Sequence, residues 1–216
     1  MSNVRFCYKT LDFDEKVEIH VRTLKNTQQF SDKGDIALNL GINSASWPLF
    51  GVIWPSGEIL AHLMHEYEIE NKKILEIGCG IGLASLVLNH RQADITATDY
   101  HPEVQNFLNE NTKLNGDEEI PFIHTGWADI KNLSKYDLII GSDLLYERDH
   151  VELLSTFIQN CAKQTCEVII VDPGRGNYSK FNKIMISLGF ILIEKEAKNL
   201  EYLEKSFKGQ ILYFNR

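Results

Sequence analysis

No apolar run in this chain approaches the roughly 20 residues a membrane-crossing helix needs. The first ten residues, Met1 to Thr10, also lack the long apolar core of a secretory signal. A cytoplasmic protein with no membrane partner is the expectation. Cysteine is sparse too: Cys7, Cys79, Cys161 and Cys166 are scattered, and the closest pair has four intervening residues. That spacing is unlike zinc knuckles or redox pairs and reads as free thiols in a reducing compartment. Positive charge is in deficit, with 22 basic against 30 acidic residues and a formal charge of −8. Such a field repels phosphate backbones, so nonspecific nucleic-acid binding is disfavoured and a cationic partner is better tolerated. A metal pattern is missing as well. His62 and His65 stand three apart on an expected helix, but no third ligand accompanies them, and they read as part of a solvated face.

What is there is an ordinary globular composition, 44% hydrophobic and 24% charged, in a chain about the length of one large domain. Two early stretches alternate apolar and polar residues, Val17, Ile19, Val21 and then Ile36, Leu38, Leu40, which is the period of a half-buried strand. The expectation is a small β-rich extension over residues 1–45. Trp47 to Ser56 then leads into a helix with Ile59, Leu60, Leu63 and Met64 on one face. From Lys72 onward, short apolar runs alternate with helical periods. The runs are Ile74 to Ile77, Ile95 to Thr98, Ile120 to Ile123, Leu138 to Ile140, Val168 to Val171, Phe190 to Ile193 and Ile211 to Phe214. Unbroken apolar runs suit strands buried on both faces, and intervening helices suit parallel crossovers. The fold class is therefore α/β, an open doubly wound Rossmann-like sheet over residues 46–216, in a single domain with the extension.

Ligands of such sheets bind at the carboxyl ends of the strands, near the point where strand order reverses. The first core strand runs into Glu76-Ile77-Gly78-Cys79-Gly80-Ile81-Gly82. Glycines at alternating positions, Gly78, Gly80 and Gly82, let the backbone turn sharply and bring amide donors close to a ligand. The dinucleotide pattern G-x-G-x-x-G requires a glycine where Leu83 stands, and Glu76 would repel a pyrophosphate. A cationic amino-acid ligand suits that carboxylate better. Asp99 ends the second core strand, where a carboxylate can accept hydrogen bonds from both hydroxyls of a ribose. After the third, Trp127 either lays its plane against an adenine or packs into the core.

At these residues the sequence resembles the class I methyltransferases, and more specifically their seven-β-strand protein-lysine methyltransferase branch. The resemblance runs from about Trp54 to the C-terminus. It is carried by Trp54-Pro55-Ser56-Gly57, Glu76 to Gly82, Asp99, Trp127, and Asp143-Leu144-Leu145-Tyr146, which looks like the branch's D-x-x-Y signature. A further segment, Asp172-Pro173-Gly174-Arg175-Gly176, is similar to one in the members that modify the electron-transfer flavoprotein β subunit and in bacterial relatives.

The resemblance implies a seven-stranded sheet whose last strand is antiparallel, closed by a hairpin of Phe190 to Ile193 and Ile211 to Phe214. It implies S-adenosyl-L-methionine as cofactor, held by Trp54, Glu76, Gly78, Gly80, Gly82, Asp99, Trp127 and Ser142, with no metal. It implies Asp143 and Tyr146 as the catalytic pair that positions a lysine amine of a protein substrate. Two further residues keep more than one reading. Trp54 closes over the donor, lines the substrate entrance or anchors the extension, while Arg175 binds a carboxylate of donor or substrate or ties down a loop. Ser142 to Tyr146 contains no proline, which argues against the base and amide substrates of methyltransferases that carry two prolines there. A small-molecule N-methyltransferase and a cofactor-binding scaffold without turnover are the competing functions.

Overall fold

The structure, a computed structural model, describes residues 4–129, 133–146, 150–195, 200–204 and 206–216. A hairpin of β1 (Phe6–Asp12) and β2 (Glu18–Leu24) comes first, paired antiparallel. The remaining strands are β3 (Lys73–Ile77), β4 (Asp94–Asp99), β5 (Phe122–His124), β6 (Tyr136–Ser142), β7 (Ala162–Asp172), β8 (Ile191–Lys195) and β9 (Gln210–Asn215). They form one seven-stranded sheet in the order β5-β4-β3-β6-β7-β9-β8. All neighbours run parallel except β9, which is antiparallel to both β7 and β8. The closing hairpin falls where the resemblance implies it.

Period-two alternation sorts each apolar run into two cores. Ile74, Leu138, Ile140, Ile169 and Val171 point to one face, where α2 (Pro55–Glu66), α3 (Leu83–His90) and α4 (Val104–Leu114) cover them. Leu75, Ile77, Ile139, Val168 and Ile170 point to the other, beneath α5 (His150–Cys161) and α6 (Tyr178–Ser187). Both faces are thus dry, which is why the strands show no polar alternation of their own. The chain travels outward through β3, β4 and β5, then returns to lay β6 on the opposite side of β3. The reversal opens the sheet between the carboxyl ends of β3 and β6.

The hairpin joins the first core. Ile19, Val21 and Leu24 are buried with α3 and α4, and Asn111 of α4 and its C-cap Asn115 accept from the backbone amides of Arg22 and His20 at 2.7 and 2.8 Å. The second alternating stretch departs from the strand expectation. Ile36, Leu38 and Leu40 lie in or beside a four-residue helix, α1 (Ile36–Asn39), with Ile36 and Leu38 53% and 62% exposed. Gly34 and Asp35 both take positive φ, and Asp32 accepts from the amides of Ala37 and Leu38, each at 2.9 Å. That carboxylate satisfies helix-start donors a strand would have left for a neighbour.

His62 and His65 also depart from a solvated face. His62 stacks on Tyr202 at 3.7 Å and meets the tilted Phe13 ring at 4.5 Å, and burial pushes its pKa down to about 4. His65 contacts Asp14 at 3.0 Å. Among the described residues no group of three or more His, Cys, Asp or Glu is placed to hold a metal, and no helix is long and apolar enough to cross a membrane.

Candidate active site

The turn after β3 has all three of its glycines in the left-handed region, with φ of 59° at Gly78, 53° at Gly80 and 73° at Gly82. Two are also closely packed. A Cβ on Gly78 would lie 2.6 Å from Leu144 and 3.8 Å from the Trp127 ring, and one on Gly82 would lie 2.5 Å from Leu108. Backbone strain and lack of room therefore both select glycine here.

Gly82 is the N-cap of α3 and has no side chain to satisfy the first amides of the helix. Glu76 takes over that task from the strand. One of its oxygens accepts from the Ser85 amide at 2.9 Å and from the Ser85 hydroxyl in a short hydrogen bond. Only 3% of Glu76 is exposed. Burial pushes its carboxyl up to about 7 against the pull of Ser85, and the neighbouring Asp99 adds to the rise. This capping role was not foreseen from the sequence, although a glycine N-cap followed three residues later by serine is the signal that could have suggested it.

Asp99, at the end of β4, is held by amides on both oxygens, from Gly80 at 2.8 Å and His101 at 2.8 Å. Burial raises its carboxyl above the usual range while those amides pull it down. One carboxylate thus ties the glycine turn to the second core strand and fixes its own orientation.

Across the opening, β6 ends at Ser142, whose hydroxyl would lie 3.5 Å from a Cβ on Gly57 in the first turn of α2. Asp143 then takes φ of 56°, its amide donating to the Val171 carbonyl at 2.9 Å. Its carboxylate receives the Arg175 fork, Nε to Oδ1 at 2.8 Å and Nη2 to Oδ2 at 3.0 Å. Asn177 donates to the Leu145 carbonyl at 2.8 Å. Tyr146 and Trp127 both meet the His150 ring edge-on, with centroids 6.1 and 5.7 Å away.

The sequence-selected residues therefore converge. Gly78 packs beside Leu144 and Trp127, Gly80 bonds Asp99, and Ser142 borders α2. Trp54 is tied instead to the preceding 3-10 turn (Trp47–Gly51), its indole donating to the Leu49 carbonyl at 3.0 Å. That turn touches the glycine loop through Phe50, whose carbonyl would lie 3.2 Å from a Cβ on Gly80. The guanidinium of Arg175 pairs with Asp143.

The fold is that of the S-adenosylmethionine-dependent methyltransferases. Magnesium protoporphyrin IX methyltransferase from Synechocystis PCC 6803, solved with bound SAM, superposes with a TM-score of 0.58 at 18% identity, over 74% of this chain and 76% of that one. A family model described as lysine methyltransferase matches residues 42–186, and the chain belongs to that family. It is 29% identical over 136 residues to the electron transfer flavoprotein beta subunit lysine methyltransferase of Rattus norvegicus, covering 61% of this chain and 53% of that protein. It is 32% identical over 139 residues to the protein-lysine methyltransferase METTL21E of Bos taurus, covering 57% and 48%. The chain spans about half the length of the curated relatives it matches.

Proposed function

We propose that this chain transfers a methyl group from S-adenosylmethionine to the side-chain amine of a lysine on a protein substrate. The observation that carries the reading is the meeting, at one reversal of strand order, of the Gly78–Gly82 turn and Asp99 with the Asp143–Tyr146 quartet. The donor supplies an electrophilic methyl group on a positively charged sulfur. The residues present suit it: Asp99 keeps a carboxylate at the strand end for ribose hydroxyls, the turn offers close backbone approach, and Trp127 offers an aromatic plane for adenine. Glu76 acts on that ligand through the turn it caps.

On the other side, Asp143 and Tyr146 orient the amine for in-line attack. A lysine ammonium with an ordinary pKa near 10.4 has no lone pair to offer, so it must first lose a proton, which a desolvated site favours. Alignment of a neutral amine is then the larger demand, and effective molarity supplies it. The acidic surface suits a basic protein segment, and the free thiols at Cys7, Cys79, Cys161 and Cys166 suit a reducing cytoplasm.

The test is incubation of the purified chain with labelled S-adenosylmethionine and a lysate from cells lacking it, followed by a gel. A discrete labelled protein band, reduced about a hundredfold by Asp143→Ala with donor affinity unchanged, is expected. Label confined to the small-molecule fraction would promote a small amine as acceptor, and donor binding without any transfer would point to a scaffold. The electron transfer flavoprotein β subunit, named in the rat relative, is the first purified substrate to try.

A further inference from the structure

The turn after β7 is built around one side chain. Asp172, wholly buried at the end of the strand, accepts from the Gly174 amide at 2.9 Å. Gly174 and Gly176 take φ of 91° and 88°, conformations that fold the backbone back on itself and leave Arg175 at the apex. From there the guanidinium reaches 32 residues back along the chain to Asp143 and meets both carboxylate oxygens. The Asp143 side chain is 12% exposed and that of Arg175 is 46% exposed. Asn177, at the far end of the same turn, holds the Leu145 carbonyl. The two contacts grip the quartet at its first residue and its third.

We propose that Arg175 is a positioning residue for methyl transfer, fixing the plane of the Asp143 carboxylate so that its remaining lone pairs face the target amine. The inference rests on the reading that Asp143 meets that amine. A carboxylate on a single-bonded stem rotates freely unless both oxygens are held, and a planar fork with two parallel donors holds both at once. Asp143 has its backbone pinned by the Val171 carbonyl, so the fork removes the freedom that remains. A lysine in place of Arg175 would keep the charge yet supply one point contact, leaving the plane unset.

The test is the initial rate of labelling of the wild-type protein band by Arg175→Ala and Arg175→Lys. Affinity for S-adenosylhomocysteine and the urea midpoint are measured alongside. Expected is at least a tenfold loss of rate in both variants, product affinity within twofold of wild type, and recovery of the alanine variant by added ethylguanidinium but not by ethylammonium. Recovery by a planar cation is a readout that a loop-stabilising role would not give. Rates in Arg175→Ala equal to or above wild type would overturn the inference, as would a loss that ethylguanidinium leaves unchanged. A wild-type chain that labels no protein would sink the lysine reading and the inference with it, whereas an active wild type with indifferent variants sinks the inference alone.

Discussion

The two sides of the opening are built by different means. On the function proposed above, the donor side is held by backbone: three left-handed glycines, amides on both oxygens of Asp99, and Glu76 capping α3 from within the core. The proposed acceptor side is held by side chains, with an aspartate at positive φ, a half-exposed arginine clasping it and an asparagine on the next carbonyl but one. Contacts of the first kind tolerate few replacements, because both the left-handed φ values and the side chains of Leu144 and Leu108 against the turn admit only glycine. Side-chain contacts of the second kind can be exchanged one residue at a time. On the proposed reading, the acceptor side can change while the donor side stands.

Three perturbations sharpen the contrast. Gly82→Ala combines a disfavoured φ with a Cβ 2.5 Å from Leu108. It should cost about 4 kcal/mol in urea denaturation, from about 1–2 for a left-handed residue and 1–3 for overpacking, with donor affinity lost as well. A stable variant with normal affinity would show the turn to be more pliant than described.

Next, Glu76 gives the donor side a pH signature. Its carboxyl is raised from 4.5 to about 7 in the fold, so the unfolded chain ionises first. Stability from this group is complete below about pH 4.5, declines as pH rises and levels off above about 7. The total is on the order of 3 kcal/mol. Glu76→Gln should flatten that decline in urea midpoints taken between pH 5 and 8. An unchanged slope would refute the assignment.

The smallest effect is expected on the acceptor side. Asn177→Ala removes one hydrogen bond to Leu145, which should cost about 1 kcal/mol and slow labelling a few-fold while donor affinity holds. A loss of affinity instead would mean that the two sides are mechanically coupled.

Much of this was legible in the sequence, and the reasons separate cleanly. The runs at Ile74 and Leu138 announced buried strands because residues facing two dry cores have no polar alternation to confuse the pattern. The glycine turn was legible because its conformation is written in residue type. Ile36, Leu38 and Leu40 misled because three apolar residues at alternate positions fit one turn of helix as well as a strand. Asp32 and the left-handed Gly34-Asp35 pair decided the matter. His62 and His65 face the hairpin and the segment at Tyr202, a neighbourhood their own helix cannot reveal. The clasp of Arg175 on Asp143 depends on β6 and β7 lying side by side, and strand order is not encoded in either segment alone.

The final strand leaves a mark on how the protein is made. Since β9 enters between β7 and β8, the pairing edge of β7 stays open during synthesis until Gln210–Asn215 has emerged. An apolar strand with an uncovered edge is a template for pairing with other chains. The nascent chain is therefore most prone to pair with other chains in the interval between the emergence of Ala162–Asp172 and that of Gln210–Asn215.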